Sequence, residues 1–296
     1  MSKLRKYDTL VFFLFIMPWI IGFSVFFLVP FGTSVFYAFT DARLPGSIDY
    51  HFVGLGNFGE MLKSPIFGKS VFNTMYFVII GVPVVSAGML VLAMLLNFKV
   101  KGIALYRTFY YLPTLVPIVA TVIIWRLVFN SEFGILNAVL GFFGAEKIDW
   151  LGGEHTIKPV IILLQVWISG SGVLIFLAAL KNVPRHLHEA AEIDGAGVIR
   201  RFFSITLPMI SSSILFVVII QTMYNFQMFT EAMLLSKGGP NYASYTFVYN
   251  IYKSAFTDLK FSMAMAQSLF LFILIAVVTA ALMKLSNRFV YNEAGN

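Results

Sequence analysis

The stretch EAAEIDGAGVIRRFFSITLP, residues 189–208, joins two long apolar segments. It mixes small residues with both signs of charge. The runs 159–180 and 202–230 that lead into and out of it hold no Asp, Glu, Lys or Arg. A helix needs roughly 20 mostly apolar residues to cross a bilayer core of about 30 Å. Comparable charge-free runs lie at 9–40, 70–98, 108–125 and 261–283. The shortest, 108–125, gains length from Leu105 and from residues 127–130 beyond Arg126, which snorkels to the interface. Of 296 residues, 59% are hydrophobic and 12% charged, and the mean hydropathy is +0.84. A soluble domain of this length has too little interior for so much apolar surface. The expectation is an all-α integral membrane protein with six transmembrane helices, about 10–38, 71–98, 105–129, 159–180, 208–230 and 261–285. They form a single transmembrane domain over 1–296.

The first run resembles a signal peptide only at its start, where Lys3, Arg5 and Lys6 precede it. It is far too long for an h-region and no small-x-small site closes it. It is read as a retained helix that Pro18 and Pro30 bend or end.

Orientation follows from Lys and Arg placement. With six spans both termini share a side. That side carries the N-terminus, the 99–107 loop, the 181–201 loop and the tail, with twelve basic residues against five acids. The opposite side has nine of each, spread over the longer loops 40–69, 130–158 and 231–260. The whole excess of +7 therefore lies on the face expected to be cytoplasmic. It signals topology and anionic membrane lipid rather than nucleic acid, since no basic stripe with interleaved aromatics occurs in a soluble segment.

Catalytic chemistry is not written in the chain. Cysteine is absent, and His51, His155, His186 and His188 are scattered through loops, so neither a metal site nor a cofactor is expected. No G-x-x-x-x-G-K-[ST], G-x-S-x-G or H-E-x-x-H pattern is present, which points to no enzyme activity and to energy supplied by another chain. The segment 132–143 is expected to form a short interfacial helix on the outer side.

The loop 181–207 is the one long cytoplasmic segment. Pro184 fits the first turn of a helix, residues 185–193 have helix propensity, and Asp194-Gly195 stops it, Gly195 taking the left-handed conformation. A second short helix is expected over about 198–204, with Leu207-Pro208 turning the chain back into the bilayer. Ala190 and Ala191 leave a low patch on which another protein can close. The residues alone allow a second reading, an interfacial loop with Arg200 and Arg201 on lipid phosphates and Phe202 and Phe203 in the acyl boundary.

The block resembles the cytoplasmic signature of ATP-binding-cassette importer permeases: E-A-A, three residues, G, nine residues, I-x-L-P. Glu189, Ala190, Ala191, Gly195, Ile205, Leu207 and Pro208 match every fixed position. The resemblance implies a type I importer permease fold in which this loop is the coupling helix, seated in a cleft of a cytoplasmic ATPase. Glu189 and Asp194 would then lie among the ATPase contacts, Ala190 and Ala191 would permit close approach, and Gly195 would shape the turn. Ile205, Leu207 and Pro208 would fix the exit into the fifth span. A second element, Leu234-Leu235-Ser236-Lys237-Gly238-Gly239-Pro240, resembles the L-L-x-x-G-G-P of carbohydrate permeases of the maltose and glycerol-3-phosphate type, and marks the first of two permease subunits there. The F-V-G-L-x-N-F block from Phe52 to Phe58 and Tyr110-Tyr111-Leu112-Pro113 are similar to that group as well.

A sugar path needs amides, hydroxyls and aromatic faces turned toward an internal cavity. Gln221, Asn225 and Met228 recur at i, i+4 and i+7 on the fifth helix, with Tyr224 beside them. The fourth helix adds Gln165 and Ser169, with Trp167 and Ser171 between and beyond. The same groups also suit hydrogen bonding between packed helices. No acid falls within the core of an expected span, which argues against the alternative of an ion-coupled secondary transporter. The expected function is the permease subunit of a binding-protein-dependent importer in a bacterial inner membrane. It would translocate a di- or oligosaccharide by alternating access, with both termini cytoplasmic. The resemblance implies as partners a second homologous permease, two copies of a cytoplasmic ATPase and an extracytoplasmic sugar-binding protein.

Overall fold

The structure, a computed structural model, describes residues 2–46, 49–98 and 100–286, with side chains from Val11 onward. Lys99, Arg288 and Glu293 of the charge count lie outside the described residues, as do the side chains of Lys3, Arg5, Lys6 and Asp8. Among the described residues the regular structure is all helical apart from one antiparallel bridge, Thr40 to Phe52. Three helices are long and apolar enough to cross a membrane unbroken: Val11–Ala38, Pro65–Asn97 and Phe261–Ser286. Three more spans are bent pairs: Ile103–Leu115 with Ile118–Val128, Ile157–Trp167 with Gly170–Asn182, and Val198–Met209 with Ser211–Phe226.

Each bend has a local cause. Proline disfavours helical backbone in the residue before it, and Val116, ahead of Pro117, is extended (φ −78°, ψ 132°), which turns the third span by 104°. In the fourth span the Ser169 hydroxyl donates to the Val166 carbonyl (2.6 Å), a local bond that competes with the helix, and the bend there is 55°. The fifth span turns by 70° at Ile210 (φ −96°, ψ 8°).

Neither Pro18 nor Pro30, expected to bend or end the first helix, ends it. Pro18 lies inside Ser2–Phe23, and the helix continues to Ala38. A π-helical turn, Ser24–Leu28, ends two residues before Pro30, and Val29 N–H bonds back to the Ser24 carbonyl, five residues away. The same device precedes Pro83 (Phe77–Gly81) and Pro208 (Phe202–Thr206). A proline ring clashes with the carbonyl four residues back, and a widened turn moves that carbonyl aside without leaving polar backbone bare in lipid.

The chain forms two compact units. The first comprises Met1–Ser64 and Ile251–Phe272. In it Trp19, Phe23, Phe27 and Phe31 stack one helical turn apart, and Phe31 meets Phe272 edge-on. Asn57, the amide of the F-V-G-L-x-N-F block, donates to the Ala38 and Thr40 carbonyls (2.9 and 2.7 Å). That satisfies carbonyls which the end of the first helix leaves unpaired.

The second unit comprises Pro65–Asn250 and Ile273–Asn296. Its core is apolar: Phe77, Val85, Met89 and Ala93 of the second span pack with Ile161, Leu164, Val173 and Phe176 of the fourth. Within 132–143, where a short interfacial helix is expected, the chain forms the helix Ile135–Phe142. Buried Asn137 anchors it, donating to the Ser131 and Ile148 carbonyls and accepting from Ile148 N–H and Trp150 Nε1. At the Gly-Gly-Pro element Gly238 has φ +78°, and a Cβ there would lie 2.6 Å from Tyr245 Cδ2. Only glycine suits both demands.

Candidate functional site

The loop between the fourth and fifth spans carries the helix Arg185–Ile193, in which no residue is buried. Pro184 stands at the cap, one residue before the helix, with extended backbone (ψ 129°). Gly195 is left-handed (φ +75°), its N–H bonds to Glu192, and Ala196 N–H bonds back to Ala191. This pair of bonds is the glycine-terminated helix end known as the Schellman motif. The return limb differs from the expectation of a helix over 198–204 that turns at Leu207-Pro208. It runs helically from Val198 to Met209, with the π turn inside it, and changes direction only at Ile210. Pro208 is absorbed by that π turn. An ion pair between Arg201 Nη1 and Glu192 Oε2 (2.7 Å) ties the two limbs together.

The outer surface of the loop is open. Glu189, Ala190, Asp194 and Gly195 are exposed, Ala191, Ile205, Leu207 and Pro208 are half-buried, and Ile193 is 87% exposed. Val198 and Ile199 are about as bare, so three branched aliphatic side chains surround the glycine turn. Apolar groups presented together on a charged loop suit contact with another protein or with the membrane surface.

The expected path residues behave differently. Gln165, Ser169, Asn225 and Met228 are buried, Gln221 is half-buried, and Tyr224 is exposed. Gln165 Nε2 donates to Asn225 Oδ1 (3.0 Å) and lies 3.2 Å from Met228 Sδ. Asn225 Nδ2 donates in turn to the Gln221 carbonyl (2.9 Å). The structure thus brings Gln165, Asn225 and Met228 together across the fourth and fifth spans. Ser169 is elsewhere engaged, at the bend of its own span, where Tyr110 OH also donates to the Val166 carbonyl (3.1 Å).

One residue of this region escaped the sequence reading. Tyr224 OH donates to Glu231 Oε1 (2.5 Å), and Glu231 is 2% exposed, in the first turn of the helix Thr230–Ser236. Glu231 lies one residue past the charge-free run that ends at Thr230, just outside the span expected from hydropathy. The available signal was a carboxylate two helical turns after Tyr224, ahead of an apolar Ala-Met-Leu-Leu stretch.

Residues 3–291 match the family described as binding-protein-dependent transport system inner membrane component. The chain belongs to that family. It is 37% identical to the probable ABC transporter permease protein YesP of Bacillus subtilis over 298 residues, 99% of this chain and 96% of that protein. Identity is 34% to the arabinooligosaccharides transport system permease protein AraP of the same organism, over 94% of this chain and 88% of AraP. It is 31% to the sn-glycerol-3-phosphate transport system permease protein UgpA of Pectobacterium atrosepticum, over 90% of each chain. The fold is that of a chain in the crystal structure of a bacterial ABC transporter involved in the import of the acidic polysaccharide alginate. The two superpose with a TM-score of 0.82 at 22% identity, over 98% of this chain and 99% of that one. The permease is a multi-pass inner membrane transport subunit and not an enzyme. Membership of a binding-protein-dependent family excludes the ion-coupled alternative, despite buried Glu231.

Proposed function

We propose that this permease is one half of a translocation path for a sugar, energised by a cytoplasmic ATPase that it does not itself contain. It works beside a second, homologous permease, with two copies of the ATPase beneath and a sugar-binding protein delivering cargo outside. Both termini are cytoplasmic. The observation that carries the reading is the exposed helix Arg185–Ile193 with its glycine-capped end, a rigid lever that nothing within the described residues covers. Glu189 and Asp194 meet the ATPase with polar groups, Ala190 and Ala191 admit its surface, and Ile193 fills an apolar hollow there. Ile205, Leu207 and Pro208 pass the movement into the fifth span.

Cargo meets the fifth span at Tyr224 and Gln221, the two path residues that retain accessible surface. Gln165, Asn225 and Met228 are sealed against one another in this conformation, with Ser169 at the adjoining bend. Alternating access requires that seal to part when the lever moves. Relatives that act on arabinooligosaccharides and on sn-glycerol-3-phosphate support a carbohydrate or polyol cargo. The test is Ile193→Asp in cells carrying the complete importer. A surface substitution leaves membrane level and folding intact, whereas a buried interface charge with no partner weakens docking by about 2–5 kcal/mol. The expected outcome is loss of the co-purifying ATPase and of ATP-dependent sugar uptake. Uptake that persists in the variant, or in cells depleted of ATP, would overturn the proposal.

A further inference from the structure

A cavity of about 680 Å³ opens on the outer side of the second unit, where the start of the second span, the start of the fourth and the loop after Gly-Gly-Pro converge. Two ammonium groups line it. Lys158 Nζ lies 5.1 Å from the Phe72 ring centre and 4.7 Å from that of Tyr76, and Lys69 Nζ lies 5.4 Å from that of Tyr242. Neither lysine has a carboxylate within ion-pair distance among the described residues. The one acid in the lining, Glu154, accepts a hydrogen bond from Asn241 Nδ2 instead. The wall is fixed in place: buried Asn73 donates to the Tyr242 and Tyr245 carbonyls (2.6 and 3.1 Å). Aromatic faces orient the ammonium groups and leave part of each open to a ligand.

The position bears on transport. Lys158 and Gln165 are seven residues apart on one helix, so they share a face about 10 Å apart along its axis. Ile161 and Ile162 fill that face between them and are buried, so the lysines stand at the outer mouth and a solute reaches the Gln165–Asn225 contact, two turns deeper, only once that packing parts. Two ammonium groups outside any ion pair, against one carboxylate already bonded to Asn241, stand here with amide groups and apolar ring faces, a set that suits a sugar ring carrying a carboxylate. The path residues deeper in are uncharged, which by themselves would favour a neutral sugar.

We infer that the outer cavity between Lys69, Lys158 and Tyr242 is an entry subsite for acidic saccharides, so that the cargo of this permease is a uronate-containing oligosaccharide. The inference rests on the sugar-importer reading above. It is tested by uptake of labelled trigalacturonate and of a neutral hexose trisaccharide in cells carrying the complete importer. Wild type is expected to take up trigalacturonate. Lys69→Met with Lys158→Met should raise its KM about tenfold or more, as befits two lost charge-assisted contacts, and Lys→Arg at both positions should restore it. Raising the salt concentration should raise the wild-type KM more steeply than that of the double variant, a readout that a folding defect does not produce. Import of the neutral trisaccharide alone, or an unchanged KM in the double variant, would overturn the subsite. So would a defect that appears only in membranes containing anionic lipid, which would reassign the lysines to a headgroup. ATP-dependent import of neither saccharide would instead remove the sugar-importer reading itself.

Discussion

The loop that joins the fourth and fifth spans and the buried contact between those spans use polar and small residues in opposite ways. On the loop the hydrogen bonds close locally, Ala196 N–H on Ala191 and Arg201 on Glu192, and the side chains that face outward are left free. Between the spans Gln165 and Asn225 bond each other from positions 60 residues apart, and little of either is exposed. A surface shaped by its own backbone is free to receive the partner proposed for it, whereas a buried pair is already its own partner. The first should therefore fail in coupling when altered, and the second in stability.

The largest effect is expected at Gly195. Its left-handed backbone places a Cβ where it crowds the following carbonyl, at a cost of roughly 1–2 kcal/mol, and more for a β-branched residue. Open space surrounds the position, so the cost falls on the shape of the loop alone. Gly195→Val should reduce ATP-dependent uptake about tenfold or more while membrane level and thermal unfolding stay as in wild type. Gly195→Asn, which tolerates this conformation, should retain most uptake. Equal losses in the two variants would show that the turn geometry does not matter, and the loop would no longer differ in kind from the helix contact.

The loop was legible because everything that shapes it is local. Pro184, the helix formers after it and Gly195 lie within twelve residues, and each acts through its own backbone preference. The six apolar runs were legible for the same reason, since each carries its own hydropathy. What the chain did not disclose are the features set by partners distant in sequence or by accommodation within a turn. Nothing in the sequence says that a π turn will precede Pro30, Pro83 and Pro208 and let the helix run on. Periodicity placed Asn225 and Gln221 on one face but could not say that Gln165 would close against Asn225. Glu231 lay beyond the end of an apolar run, and only the fold shows that the chain after Thr230 returns to a buried position. Lys69 and Lys158, 89 residues apart, were counted as loop charges, and the fold sets both on one cavity.

A smaller effect, and of the other kind, is expected at Asn225. Asn225→Leu removes the acceptor of Gln165 Nε2 and leaves that amide buried in an apolar surrounding. Bonds between membrane helices contribute roughly 0.6–2 kcal/mol, and an orphaned donor falls toward the upper end. The unfolding midpoint in detergent should drop accordingly, and Gln165→Leu in the same background should recover part of the loss, because both partners are then apolar. A rise in KM for the sugar with an unchanged midpoint would sharpen the comparison differently. It would make Asn225 a cargo contact that the present conformation merely covers.

The smallest effect tests the Tyr224–Glu231 bond, where the two behaviours meet in one pair: an exposed phenol held by a buried carboxyl. Glu231→Gln keeps an oxygen that accepts from Tyr224 OH and replaces the other, ionisable oxygen with an amide NH2 that cannot titrate. If Glu231 serves as a fixed acceptor that aims the tyrosine ring, uptake and stability should both stay close to wild type, with the midpoint moving by about 0.5 kcal/mol or less. Glu231→Leu frees the phenol, so KM should rise about threefold to tenfold while the transport rate at saturation holds, the signature of a lost orientation rather than a lost step. The two substitutions separate charge from geometry. A strong loss in Glu231→Gln, matched by Glu231→Leu, would mean that the carboxyl acts through its proton and not through its grip on Tyr224. The outer end of the fifth span would then be a titrating element of transport, and the buried group, like the loop, would have a task beyond holding helices together.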